Sequence, residues 1–271
     1  MTTLSTLDER RNTINQRLET ALGSSDDHSV VLANSAINSC SDRWYGQLVA
    51  LSYATIADQP ITDVVLSASA ATELLRGYCQ LRSELLHQLH TSQRNSLMRD
   101  PVKMLLAGDY LNSTAYTVFF EAGNQQFEKA LEALIETSRS LIDSFNITRT
   151  QSIDTYTFLD KFVGTLGEGA VTIAANLTGS NTVLRNEFIN LGRALSSAYH
   201  AFSILELDDR RSVGPIDHSQ YEESDLCQYG ARHFRGAMYT LNELQEVVDV
   251  EPLLELIDAH FGGKMGYKKW I

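Results

Sequence analysis

The chain has 271 residues, 43% of them hydrophobic, enough for one sizeable core, and it reads as one domain over 1–271 with a short flexible tail at about 262–271. A formal net charge of -12 argues against docking on nucleic acid phosphates or anionic lipid, because neither surface attracts an acidic protein. Cys40, Cys79 and Cys227 are too dispersed for a disulfide framework, the N-terminal segment lacks the apolar core of a signal peptide, and no stretch approaches the roughly 20 apolar residues of a membrane span, so a soluble cytoplasmic protein is expected.

Four prolines, Pro60, Pro101, Pro215 and Pro252, divide the chain, and the intervals between them carry helical rather than alternating apolar periodicity. The spacing predicts helices over roughly 5–22, 28–39, 42–57, 62–90, 100–121, 125–145, 153–178, 182–209, 220–248 and 251–261, an all-α fold. Asp58-Gln59-Pro60 stops the third helix, and Asp63 is suited to cap the fourth. Asp100-Pro101 starts the fifth, with Pro at the first helical position. The run from Arg210 to Ser219 has turn chemistry and reads as a surface loop, and Gly262-Gly263 ends the last helix. Helices 62–90, 100–121, 153–178 and 182–209 are apolar or small around most of their circumference and are expected at the centre. Gly167-Glu168-Gly169 lies inside a helical pattern and is read as a close-packing site.

Three blocks then carry a family resemblance. Leu105-Leu106-Ala107-Gly108-Asp109-Tyr110-Leu111 resembles the LLAGDYL that follows the first aspartate-rich motif of the polyprenyl synthetases, the trans-isoprenyl diphosphate synthases. Ala70 to Leu75 resembles the A-x-x-E-L-I of the helix leading into that motif. Leu191 to His200 is similar to the F-G-x-x-L-G-x-A-F-Q that leads into the second motif. The blocks stand in the family order over approximately residues 28 to 245. The resemblance implies an isoprenoid-synthase-like orthogonal helical bundle around a central cavity, assembled as a homodimer through the helices around 100–145.

Prenyl transfer in that family ionises a diphosphate ester, and two DDxxD motifs present carboxylates at i and i+4 on facing helices to hold Mg²⁺. Extending the first match places its window on Ser83-Glu84-Leu85-Leu86-His87, preceded by Arg82. Glu84 with His87 is a poor cage for a hard cation. The second window falls on Ser203-Ile204-Leu205-Glu206-Leu207, with no carboxylate at the expected positions. Asp208-Asp209 lies five residues on, where about 500° of helical rotation turns it to another face. Of the family's diphosphate-binding cations, Ser41-Asp42-Arg43-Trp44-Tyr45-Gly46 keeps Arg43, and Lys161 lies one turn before Gly164-Thr165, where the family has lysine-threonine. Arg94 and Arg99 are the nearest basic residues to the arginine pair that follows the first motif.

Arg43, Arg82 and Lys161 are therefore vestigial candidates for substrate binding, and Ser83, Glu84, His87, Ser203, Ile204 and Leu207 occupy the former metal-motif positions. No catalytic residue and no metal ligand is assigned, and Mg²⁺ enters only if the chain is a conventional prenyltransferase. The expectation is a non-catalytic or regulatory partner of an active polyprenyl synthase in isoprenoid biosynthesis, as homodimer or heterodimer. The alternatives are an active or altered prenyltransferase and an isoprenoid-binding protein, whose cavity Tyr78, Tyr110, Phe119, Tyr199 and Phe202 would line unless they pack in the core.

Overall fold

A computed structural model describes residues 6–23, 27–90, 100–122, 127–150, 155–206 and 222–262. Thr6 starts the first helix with a capping box. Its hydroxyl accepts from Glu9 N–H, and the Glu9 carboxylate accepts from Thr6 N–H, each at 3.2 Å, which satisfies two otherwise orphaned groups. The first helix, α1, spans Leu7–Leu22 and buries Arg10, Ile14, Leu18 and Leu22 at every fourth position. Helices α2 (His28–Asn38), α3 (Trp44–Ala57), α4 (Asp63–His90) and α5 (Pro101–Glu121) follow. Asp100 caps α5 through Val102 N–H at 2.9 Å, with Pro101 at the first helical position as the sequence predicts. Asp63, expected as a cap, is instead the first residue of α4, and its carboxylate pairs with Arg17 of α1.

Helix α6 (Phe127–Thr150) runs five residues past its expected end. Helix α7 (Thr155–Phe158) continues through one π-helical turn, Leu159–Val163, into α8 (Gly164–Thr178). Helices α9 (Thr182–Leu205), α10 (Glu223–Leu244) and α11 (Glu251–Phe261) complete the described chain. Every regular element among the described residues is helical, as expected. None is long and apolar enough to cross a membrane. The loop expected at 210–219 and the chain beyond Gly262 lie outside the described residues.

The centre differs from the expected one at two helices. Residues 44–53 of α3 are buried without interruption, because α3 packs against α4, α8, α11 and α1 at once. Helix α5 buries a single stripe of Met104, Ala107, Leu111, Ala115 and Phe119. Its opposite face exposes Val102, Leu105, Leu106 and Phe120, and α6 exposes Ile135 and Ile142.

Close packing at Gly167 and Gly169 holds as read. A Cβ on Gly167 would meet the Gly192 carbonyl and the Ser196 hydroxyl of α9 at 2.3 Å, and one on Gly169 would meet Thr137 of α6 at 2.3 Å. Backbone-to-backbone approach leaves nothing flexible to yield. Gly167→Ala is therefore expected to destabilise by about 1–3 kcal/mol despite alanine's better helix propensity. Exposed Gly236, whose Cβ would meet nothing within 4 Å, provides the control, and Gly236→Ala is expected to stabilise by about 0.5–1 kcal/mol. Thermal melts of the two variants check both signs.

Candidate functional site

The two helices onto which the aspartate-rich windows map face a common cavity of about 340 Å³. From α4, Arg76, Cys79, Gln80, Ser83 and Glu84 reach it at i, i+3, i+4, i+7 and i+8, one helical face. From α9 come Tyr199, His200, Ser203 and Ile204. The rest of the wall is mainly apolar, with Phe162, Val163 and Leu166 on one side and Trp44, Tyr45 and Cys40 on the other. The structure thus brings Ser83, Glu84, Ser203 and Ile204 together. The side chain of His87, and Leu207, Asp208, Asp209, Arg94 and Arg99 entirely, lie outside the described residues.

Aromatic stacking closes the α3 side. Trp44 lies flat on Tyr199 with ring centroids 4.2 Å apart and 1° between planes, and His260 of α11 meets Trp44 edge-on at 5.2 Å. The Trp44 indole N–H donates to Ser196 Oγ at 3.2 Å, so its one polar group is satisfied in full burial. Asp42 fixes the other ring by accepting from the Tyr199 hydroxyl, and its second oxygen accepts from the Cys40 thiol at 3.1 Å. Burial, with minor help from Asp42, pushes the Cys40 thiol up to about 12, so this cysteine is no nucleophile at neutral pH. Of the five aromatic candidates for the lining, Tyr199 alone is in the described wall. Tyr78 packs edge-on to Phe145, Tyr110 donates to the Leu22 carbonyl at 2.8 Å, Phe119 packs on Phe127, and Phe202 on Phe261.

The three basic candidates do not converge on this space. Arg43 takes a left-handed backbone conformation (φ 55) and turns its buried guanidinium away. It donates to the Ile37 and Cys40 carbonyls at 2.5 and 2.6 Å and to Asn15 Oδ1 at 2.6 Å. The unfavourable backbone conformation is offset by capping the C-terminal end of α2, where carbonyls lack helical donors. Arg82 lies over the Tyr78 ring and pairs with Asp109 of α5. Lys161 sits in the π-helical turn with its side chain exposed.

Arg76 is the guanidinium that does line the cavity, and sequence reasoning missed it. The Nε–H donates to Glu73 at 3.0 Å, one terminal nitrogen donates to Gln80 at 3.2 Å, and the other to the Ala36 and Ile37 carbonyls at 3.1 and 2.9 Å. Glu73, fully buried, also accepts from Gly46 N–H at 2.9 Å. Burial lowers the pKa of Arg43; for Arg76 burial acts in the same direction but is outweighed by Cys40 and Glu73, leaving it above its ordinary value. The signal was available as a Glu and an Arg at i, i+3 within an otherwise apolar stretch of α4, since buried charges occur paired.

Mg²⁺ demands near-octahedral oxygen coordination, with carboxylates supplying its protein ligands. Glu84 is the one carboxylate in the described wall, and its Oε1 accepts from Gln80 at 3.2 Å. Among the described residues, no three His, Cys, Asp or Glu side chains gather where they would hold a metal ion. The described residues do not fit the ion that the sequence resemblance implies. A larger groove, about 530 Å³, lies between α1, α4 and α5, but it contains none of the candidate residues.

No family model matches the sequence, and no curated protein is similar to it. The fold, however, is widely shared. A geranylgeranyl pyrophosphate synthetase from the archaeon Geoglobus acetivorans superposes with a TM-score of 0.71 at 15% identity, covering 93% of this chain and 96% of its own. A geranyltransferase from Legionella pneumophila gives 0.70 at 16% identity over 95% and 96%. A geranyltranstransferase from Thermotoga maritima gives 0.67 at 15% identity over 97% and 99%. The chain has the fold of the polyprenyl synthetases.

Proposed function

We propose that the protein is an isoprenyl diphosphate synthase homologue without catalysis of its own, which pairs with an active polyprenyl synthase and sets its activity or product length. The structural neighbours named as geranylgeranyl pyrophosphate synthetase and geranyltranstransferase supply the biosynthetic context. The observation that supports the reading is the wall of the cavity, lined by Ser83, Glu84, Ser203 and Ile204, the positions onto which the sequence resemblance maps the two carboxylate sets. Departure of a diphosphate accumulates charge that only cations offset in a water-poor site, and both nearby buried guanidiniums are committed to Glu73 and backbone carbonyls.

Partnership is supported by the outer face of α5 and α6. Val102, Leu105, Leu106 and Phe120 of α5, the last 69% exposed, and Ile135 and Ile142 of α6 are exposed apolar side chains, of the type that marks association where they gather. They lie on the helices around 100–145 where the resemblance puts a dimer face.

Co-expression with an active synthase from the same genome tests the proposal. A stable complex is expected, together with a changed product length or rate. Leu106→Glu with Phe120→Glu is expected to weaken the complex at least tenfold while leaving the melting temperature of the free chain within about 2 °C, since exposed positions contribute little to folding. Absence of any complex with every synthase of that genome would contradict it.

A further inference from the structure

The groove between α1, α4 and α5, about 530 Å³, shares no described residue with the cavity between α4 and α9 and has no part in the proposed function. Its described wall is polar and mostly accepting. Thr13, Thr20, Thr114 and Thr117 line it, and each hydroxyl donates to the carbonyl four residues earlier in its own helix, at 2.7–3.2 Å. A hydroxyl has one proton and two lone pairs, so these oxygens have only acceptor capacity left. The carboxylates of Asp63 and Glu121, also in the wall, accept as well. Donors are fewer. Arg17 directs its terminal nitrogens at Ser67 Oγ (2.8 Å) and Asp63 Oδ1 (2.5 Å), while its Nε–H is buried without a hydrogen-bond partner among the described residues. Buried Ser67 accepts from Arg17 and so has a proton of its own to give.

That imbalance selects among ligand chemistries. A phosphate or carboxylate brings acceptors only, to a wall that mostly accepts. An alkylammonium brings donors only and leaves the buried Arg17 Nε–H unmet. An apolar chain satisfies neither set. A compound with several hydroxyls satisfies both, since each O–H donates once and accepts twice. It can accept from Arg17 and Ser67 on the side of α1 and α4, and donate to Thr114, Thr117 and Glu121 on the side of α5. Holding the hydroxyls on a ring cuts the entropy lost on binding relative to an open chain. A hexose of about twelve non-hydrogen atoms needs roughly 360 Å³ at about 30 Å³ each, so one fits. We infer that this groove binds a neutral sugar, whose hydroxyls bridge Arg17 and Ser67 to the side chains of α5. The inference goes beyond the proposed function and does not rest on it.

Binding must be read directly, because sugars stabilise any folded protein by exclusion from its surface. Saturation-transfer NMR on the full chain with methyl α-glucoside tests it, with sorbitol, putrescine and inorganic phosphate as competitors. Saturable binding with a Kd below about 10 mM is expected, each competitor being at least tenfold weaker. Thr117→Trp, which puts a bulky ring at an exposed position of the wall, is expected to abolish the transfer. Glu121→Trp, also exposed, serves the same purpose should the first variant fail to fold. Thr114→Val keeps the shape and removes one acceptor, which is expected to weaken binding about three- to tenfold. The inference is overturned if the glucoside gives no saturable transfer, if any competitor displaces it at equal concentration, if a folded groove-filling variant keeps the signal, or if Thr114→Val binds as tightly as the parent. None of these outcomes depends on turnover or on a synthase partner.

Discussion

Replacing Arg76 with alanine is expected to lower the melting temperature by about 6–20 °C, corresponding to roughly 3–5 kcal/mol for breaking a buried ion pair. The size follows from what is left behind. Glu73, with no exposed surface, would retain only the Gly46 N–H, and the Ala36 carbonyl would lose one of its two side-chain donors, keeping the Ser39 hydroxyl. Ile37 would keep Arg43. Arg82→Ala removes a pair whose Asp109 side chain is 60% exposed and is expected to cost under about 1 kcal/mol. A double-mutant cycle of Glu73→Gln and Arg76→Gln, followed by chemical denaturation, separates the pair from general packing. A coupling of about 1–3 kcal/mol is expected, and simple additivity would show that the two side chains act independently.

The second large effect concerns turnover. In the resemblance, both carboxylate sets and several cations act on the leaving diphosphate; among the described residues Glu84 is the one carboxylate in the cavity wall, and Arg43, Arg82 and Lys161 are not part of it. Loss of a single preorganised transition-state donor typically costs about 10²–10³ in kcat. On the proposed reading the rate is therefore expected to lie at least about 10²–10³-fold below that of an active synthase. Restoring one carboxylate, for example Ser203→Asp, is expected to recover nothing, because Mg²⁺ still lacks most of its ligands and groups that act as a unit are not additive.

Much of this was legible in the sequence. The helix start at Asp100-Pro101 follows from its cap, and the ends at Asp58 and Gly262 from turn chemistry. That Ser83 and Ser203 face one cavity was readable because α4 and α9 are long and uninterrupted, so that helical periodicity carries a face along each of them. Arg43 was not readable. Its placement depends on a left-handed backbone just before α3, and nothing in Ser41-Asp42-Arg43 announces that a non-glycine residue takes that conformation. The π-helical turn at Leu159–Val163 likewise has no sequence signature, yet it sets where Asp160 and Lys161 point. Asp160 there accepts from the Tyr229 hydroxyl at 2.5 Å, a contact between residues 69 positions apart. The centre was misjudged at α3 because a fourteen-residue helix shows apolarity without saying how many neighbours cover it, while α5 keeps its apolar outer face for a surface that packing within one chain leaves open.

The central claim is that a synthase fold survives here with its cavity but without the means to ionise a diphosphate. Incorporation of radiolabelled isopentenyl diphosphate into geranyl or farnesyl diphosphate, measured on the purified chain alone with and without Mg²⁺ beside an active synthase as control, tests it most directly. The account predicts no Mg²⁺-dependent product above the protein-free background. Saturable, Mg²⁺-dependent product formation that disappears in Glu84→Gln would contradict it.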